Sequence, residues 1–326
     1  MNESNQKKSA FTLGETIFGP LIFAFCSFIH SVAMEHKLEQ LIFFSRDMKL
    51  VMEAYQFLYE NCIPSCYFHV SRKSLEAVES SPVQKQAFLT YMKNSGFSES
   101  CGFVDIGWQG QIQYKLNALI KESMLNEKMP LGIYFGKFNT LDFLCGKNNV
   151  VSFLNSGKVL PAKFQTLNRS IEAFFSANED KTIGYKSDST PIFEIDSRCT
   201  DGINAFQQGA LSYIRKAKVS EKLCVSKKQT CRSVSAFLDF LIHPTLEELT
   251  FFQNDYFEDD KIIKLFEVKQ NFKQFMSNIT NITWKGAYFR VNNKPFFLCW
   301  LYMWIGGFRL RFINTQRIEK IKNGCK

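Results

Sequence analysis

Leu41-Ile42-Phe43-Phe44-Ser45-Arg46-Asp47 is the stretch on which the fold turns. Four apolar residues in succession mark a strand covered on both faces. The run stops at a serine, an arginine and an aspartate, and then Leu50, Val51, Ala54, Tyr55 and Leu58 follow at helical spacing. Working outward, the change recurs. Cys66 to Val70 reads as a strand ending at Ser71-Arg72-Lys73, with a helix over 84–93. Gly102 to Ile106 reads as a third strand, Gly107-Trp108-Gln109-Gly110 as its exit loop, and Ile112, Leu116, Leu119 and Ile120 as a helix face. Leu131 to Phe135 is a fourth strand. Strand, loop and helix in repetition predict a parallel sheet in an α/β core. Ligands of such sheets lie outside the carboxyl ends of the strands, where this chain delivers Arg46-Asp47, Ser71-Arg72 and Asp105.

Those residue types suit a phosphate-bearing ligand. Glycines at 107 and 110, between a buried strand and a helix, let backbone amides approach an anion, and the helix start adds partial positive charge. Asp105 is placed to hold ribose hydroxyls or a metal ion. Arginine directly after an apolar strand either pairs with a carboxylate or reaches an anion, and its planar fork suits phosphate. Each motif also has a plainer reading. Ser45, Asp47 or Asp105 would cap a helix, His69 would be a satisfied structural histidine, and Trp108 would anchor its loop or stack on a ligand ring. No Gly-Lys-Ser/Thr phosphate loop and no Asp-x-Asp phosphatase pair occurs in the chain.

Gly14-Glu15 with Gly19-Pro20, the 41–47 string, Ser71-Arg72 and Phe103 to Gly110 with Gln113 together resemble a bacterial polysaccharide-cluster family. Its members often carry a phosphatase domain of the HAD superfamily ahead of this module. Ile171 to Ser176, Gly184-Tyr185 and Gln208-Gly209 extend the likeness, which runs over about 14–215. The resemblance implies a type I phosphoribosyltransferase-like core over 1–215, followed by a mostly helical, basic extension over 216–326. It implies a glycosyltransferase that moves 5-phosphoribosyl from phosphoribosyl pyrophosphate to a sugar hydroxyl during O-antigen or capsule synthesis. The acceptor would be a lipid-linked glycan, and a separate phosphatase would finish the product. In that scheme Gly107, Trp108, Gln109, Gly110, Gln111 and Gln113 hold the donor, and Asp105 binds ribose hydroxyls and is the candidate Mg2+ ligand. Arg46, Ser71 and Arg72 take pyrophosphate, and Asp47 or Glu172 deprotonates the acceptor. Met48 and Gln111 depart from the usual residues of the family. The alternative is a non-catalytic phosphosugar-binding or scaffold module.

Composition fits a globular chain: 326 residues, 45% hydrophobic and 22% charged, with 34 Phe. The polar opening, Met1 to Ala10, has no signal-like apolar region, so a cytoplasmic protein with reduced thiols among its ten cysteines is expected. Cys62, Cys66 and His69 lack the fourth ligand of a zinc site. The apolar stretch over 16–33 is interrupted by Gly19-Pro20 and reads as a buried helix starting near Pro20. The net charge of +9 is concentrated in one place. Residues 261–326 hold 13 of the 40 Lys and Arg but only Glu267 and Glu319 among the acids, leaving 27 bases against 29 acids elsewhere. Pro295 to Phe308 is uncharged and shorter than the ~18 residues of a spanning helix. Either it lies on the inner membrane surface or it is a last core helix with a basic tail. No nucleic-acid motif accompanies the charge, and nucleic acid is not an expected partner.

Overall fold

The computed structural model describes residues 9–60, 62–123, 129–154, 158, 161–196, 200–219, 225–258, 262–269 and 271–324. The chain forms two compact units: residues 28–160, 179–196 and 314–326 in one, and residues 1–27, 161–178 and 197–313 in the other. Residue 215, the expected end of the core, falls inside a helix, Asp201–Val219. A helix near the start, α1 (Gly19–Glu35), contributes to both units.

The first unit is α/β. Its strands are β1 (Gln40–Phe44), β2 (Ser65–Phe68), β3 (Cys101–Trp108), β4 (Leu131–Lys137) and β5 (Val150–Ser152). They form one sheet in the order β2-β1-β3-β4-β5, every pair parallel. The helices between them are α2 (Lys49–Leu58), α3 (Arg72–Ser80), α4 (Pro82–Asn94), α5 (Gln111–Glu122) and α6 (Asn139–Cys145). Leu41, Ile42, Phe43 and Phe44 are all fully buried. Phe43 meets Tyr55 of α2 on one face, with ring centroids 5.8 Å apart, while Phe44 meets Phe68 and Phe103 on the other. Double coverage is the reason the run is continuous rather than alternating. Leu75, Val78, Phe88, Met92, Leu116 and Ile120, from α3, α4 and α5, complete that second layer. An antiparallel hairpin, β6 (Lys181–Tyr185) and β7 (Pro191–Glu194), belongs to the same unit. It is tied down where Tyr185 donates to the His69 carbonyl, 2.7 Å, and the Tyr185 amide donates to Gln84, 3.1 Å.

The second unit is largely helical: α7 (Ala162–Gln165), α8 (Asn168–Phe175), α9 (Asp201–Val219), α10 (Lys227–Ile242), α11 (Leu246–Thr250), α12 (Phe272–Asn278), α13 (Lys285–Val291) and the first part of α14 (Phe296–Gly324). A short hairpin, β8 (Tyr256–Glu258) and β9 (Ile262–Lys264), accompanies them. Much of the phenylalanine excess is spent here. Trp284, fully buried, is ringed by Phe174, Phe240, Phe252 and Phe266 at 5.0–5.9 Å, and its indole donates to the Leu241 carbonyl. Asp255, also buried, caps α9 by accepting from the amides of Gly202 and Ile203. Burial pushes its carboxyl up to about 6.

Candidate functional site

Strand order reverses direction between β1 and β3, the topological switch point at which open parallel sheets leave a crevice. The chain exits β1 into Ser45–Met48 and exits β3 into Gln109–Gly110. The third predicted strand end, after β2, lies on the other side of β1. All three therefore open at one edge of three contiguous strands.

At the switch point Asp105 lies within electrostatic range of Asp47. Asp105 sits near the end of β3, beside Tyr134 of β4, and accepts from the Ile106 amide at 2.8 Å. Its carboxyl is pushed up to about 7, first by burial and then by the negative charge of Asp47. Asp105 keeps partial contact with solvent. A carboxyl whose pKa is raised by burial and by a neighbouring acid at a strand edge is a common signature of a functional site.

The turn beyond Asp105 requires its glycines. Gly107 has φ +102, and a Cβ there would come within 2.2 Å of the Gly136 carbonyl oxygen; Gly110 has φ +74 and would meet Leu141 at 2.3 Å. Between them Trp108 holds φ +75. This tryptophan is the last residue of β3 rather than part of a free loop. It is buried against Phe138, and its indole nitrogen has no hydrogen-bond partner. Of the two roles open to Trp108, stacking on a ligand ring and anchoring the turn, this burial favours the anchor. Gln113 is corrected in the same way. It lies fully buried, donating to the Pro130 carbonyl and accepting from the Tyr134 hydroxyl, so it braces α5 against β4 and is closed to a donor. Gln109 and Gln111 stay at the turn, with Gln111 donating to Gln109 at 3.4 Å. Arg317, from the last turns of α14, also donates to Gln109.

Arg46 follows a cis peptide bond from Ser45. Its guanidinium donates to the Asp196 carboxylate at 3.0 Å and to the Glu179 carbonyl at 3.4 Å. The side chains of that ion pair are only 13% and 2% exposed, so it is poorly screened. Lys49 pairs with Glu179 at 3.1 Å over the ring of Tyr67, whose hydroxyl donates to the same carboxylate at 2.7 Å. Burial and that bond hold the Tyr67 phenol far above its usual range. Lys49, Tyr67, Glu179, Asp196 and Arg317 were not legible as site residues, since Glu179 and Asp196 lie more than 130 positions from Arg46.

Ser71 is committed elsewhere. It caps α3 in a reciprocal box with Ser74 and donates to the Thr182 carbonyl at 2.6 Å. That makes it a hairpin and helix anchor instead of a ligand contact. Arg72 is the exposed first residue of α3, beyond the end of the edge strand β2. Met48 is fully buried beneath the Arg46 turn. Glu172 lies on α8 in the other unit. His69 has its ring between Tyr67 and Phe193, and burial lowers its pKa. Among the described residues no group of three or more His, Cys, Asp or Glu side chains could hold a metal.

No protein-family model matches this chain, and no curated protein matches its sequence.

Proposed function

We propose that the first unit is a phosphosugar transferase, and more finely that it moves 5-phosphoribosyl from phosphoribosyl pyrophosphate to a glycan hydroxyl. One observation carries this reading: the Asp47–Asp105 carboxylates stand beside the Gly107–Gly110 turn where the strand order reverses. The turn offers amides to the 5-phosphate, and the carboxylates face the ribose hydroxyls. Arg46 and Lys49 supply positive charge for the pyrophosphate. The bond from ribose C1 to pyrophosphate breaks, the electron pair leaves with pyrophosphate, and the acceptor oxygen bonds to C1. The acceptor's proton passes to the Asp47 carboxylate. Mg2+ bound by Asp47 and Asp105 would neutralise the leaving pyrophosphate. The product keeps its 5-phosphate and needs a separate phosphatase.

The test is incubation of the full chain with phosphoribosyl pyrophosphate, Mg2+ and a panel of sugar acceptors, read as pyrophosphate release, alongside calorimetric titration of the donor. Donor binding and release that both vanish in Asp105→Asn are expected. Neither release nor donor binding in the wild-type chain would overturn the proposal. The second reading, a phosphosugar-binding scaffold without turnover, draws on Arg46 being already neutralised by Asp196. Donor binding without release for any acceptor is its result.

A further inference from the structure

Helix α14 turns large apolar residues outward. Phe297, Leu301, Ile305, Phe308 and Phe312 follow one another at intervals of four, four, three and four, and they are 64%, 47%, 62%, 52% and 63% exposed. At 3.6 residues per turn they make one strip roughly 80° wide and about 22 Å long. The opposite face is the packed one, with Cys299 and Met303 buried. Trp300 flanks the strip, half-exposed, and meets Trp304, which in turn meets Phe308, at 5.5 and 5.2 Å. Only 17% of the most apolar part of Phe296–Glu319 is buried, against 61% for Ser9–Glu35, so the two helices have different fates despite similar composition.

Charge selects the occupant. No acid occurs from Phe296 to Ile318, whereas Lys294 precedes the strip and exposed Arg309 lies along it. A second copy docking strip to strip would set these cations against their own images. A helix crossing the bilayer would have to expose the face that Cys299 and Met303 pack into the protein. An anionic lipid surface satisfies both conditions: the strip enters the acyl boundary and the cations meet headgroups.

We infer that α14 lies in the surface of an anionic lipid bilayer, axis parallel to the membrane, with Phe297, Leu301, Ile305, Phe308 and Phe312 immersed. The full chain is to be sedimented with vesicles of phosphatidylcholine alone and of phosphatidylcholine with phosphatidylglycerol. It should partition onto the anionic vesicles, fall off as salt is raised, and shift its tryptophan emission to the blue. Ile305→Glu with Phe308→Glu should lower partition by about tenfold or more while circular dichroism and melting stay unchanged, because both side chains are exposed. Arg309→Glu should erode the preference for anionic over neutral vesicles. Wild-type partition by the double variant, or no partition by the wild type, would sink the inference. A wild-type dimer that the double variant dissociates, with vesicles ignored, would assign the strip to a second copy. Retention after alkaline carbonate washing would overturn the surface placement in favour of a spanning helix.

Discussion

Replacing Asp105 by Asn should make the protein more stable and less active, with the gain depending on pH. Unfolded, the carboxyl releases its proton near 3.8; folded, burial and Asp47 hold the proton until about 7. Between those values the folded state binds more protons than the unfolded one, so stability falls as pH rises, and the penalty is complete above about 7. Three pKa units at about 1.4 kcal/mol each set that penalty on the order of 4 kcal/mol. Asparagine carries no charge and therefore no penalty. Its side-chain oxygen can still accept from the Ile106 amide, now at 2.8 Å from Asp105, which preserves the local geometry. Urea denaturation should show the variant ahead by up to about 4 kcal/mol at pH 8 and by under about 1 kcal/mol at pH 4. Pyrophosphate release should be lost at both. Equal gains at the two pH values, or none at pH 8, would refute the argument that burial and Asp47 together make the charged Asp105 carboxyl costly.

Gly107→Ala places a Cβ 2.2 Å from the Gly136 carbonyl oxygen at φ +102, so a loss of about 1–3 kcal/mol in thermal denaturation and weakened donor binding by calorimetry are expected. Asp196→Asn leaves a hydrogen-bond acceptor for Arg46 but removes the charge 3.0 Å away; pyrophosphate affinity should rise roughly five- to tenfold by titration at fixed salt, and an unchanged affinity would remove Arg46 from the anion site. Trp284→Ala empties the centre of an aromatic cluster and should cost about 3–5 kcal/mol in denaturant unfolding.

The sheet was legible because parallel strands announce themselves chemically. Leu41 to Phe44 and Phe103-Val104 are covered on both faces and are written as unbroken apolar runs. The β6–β7 hairpin was not legible. Lys181-Thr182-Ile183-Gly184-Tyr185 and Pro191-Ile192-Phe193-Glu194 are short and mix charged, polar and apolar residues, and the second lies toward solvent, so no period stands out. Helix α3 escaped for a related reason: its capping box uses Ser71 and Ser74, where glutamate would have marked the start. Gln113 was misassigned although its position held the answer. It stands three and seven residues before Leu116 and Ile120, on the face those residues bury. Trp108 belongs to β3 and not to the loop, because the strand continues pairing with β4 through Lys137.

The residues that sequence could not find also change how the cleft must work. Arg46 is largely shielded from water, and an unpaired guanidinium there would carry a heavy desolvation penalty. Asp196 and Glu179, on the segments flanking the hairpin, remove it by neutralising Arg46 and Lys49. Any anion that takes these cations must displace carboxylates already in contact, so only the difference between two ion pairings reaches the binding free energy. A single small anion gains little from that exchange. A pyrophosphate, with two charged groups on a fixed span, can replace both carboxylates at once. Under the proposed function, the hairpin acids would set a threshold that favours a doubly charged leaving group over free phosphate, from positions with no chemical likeness to that ligand.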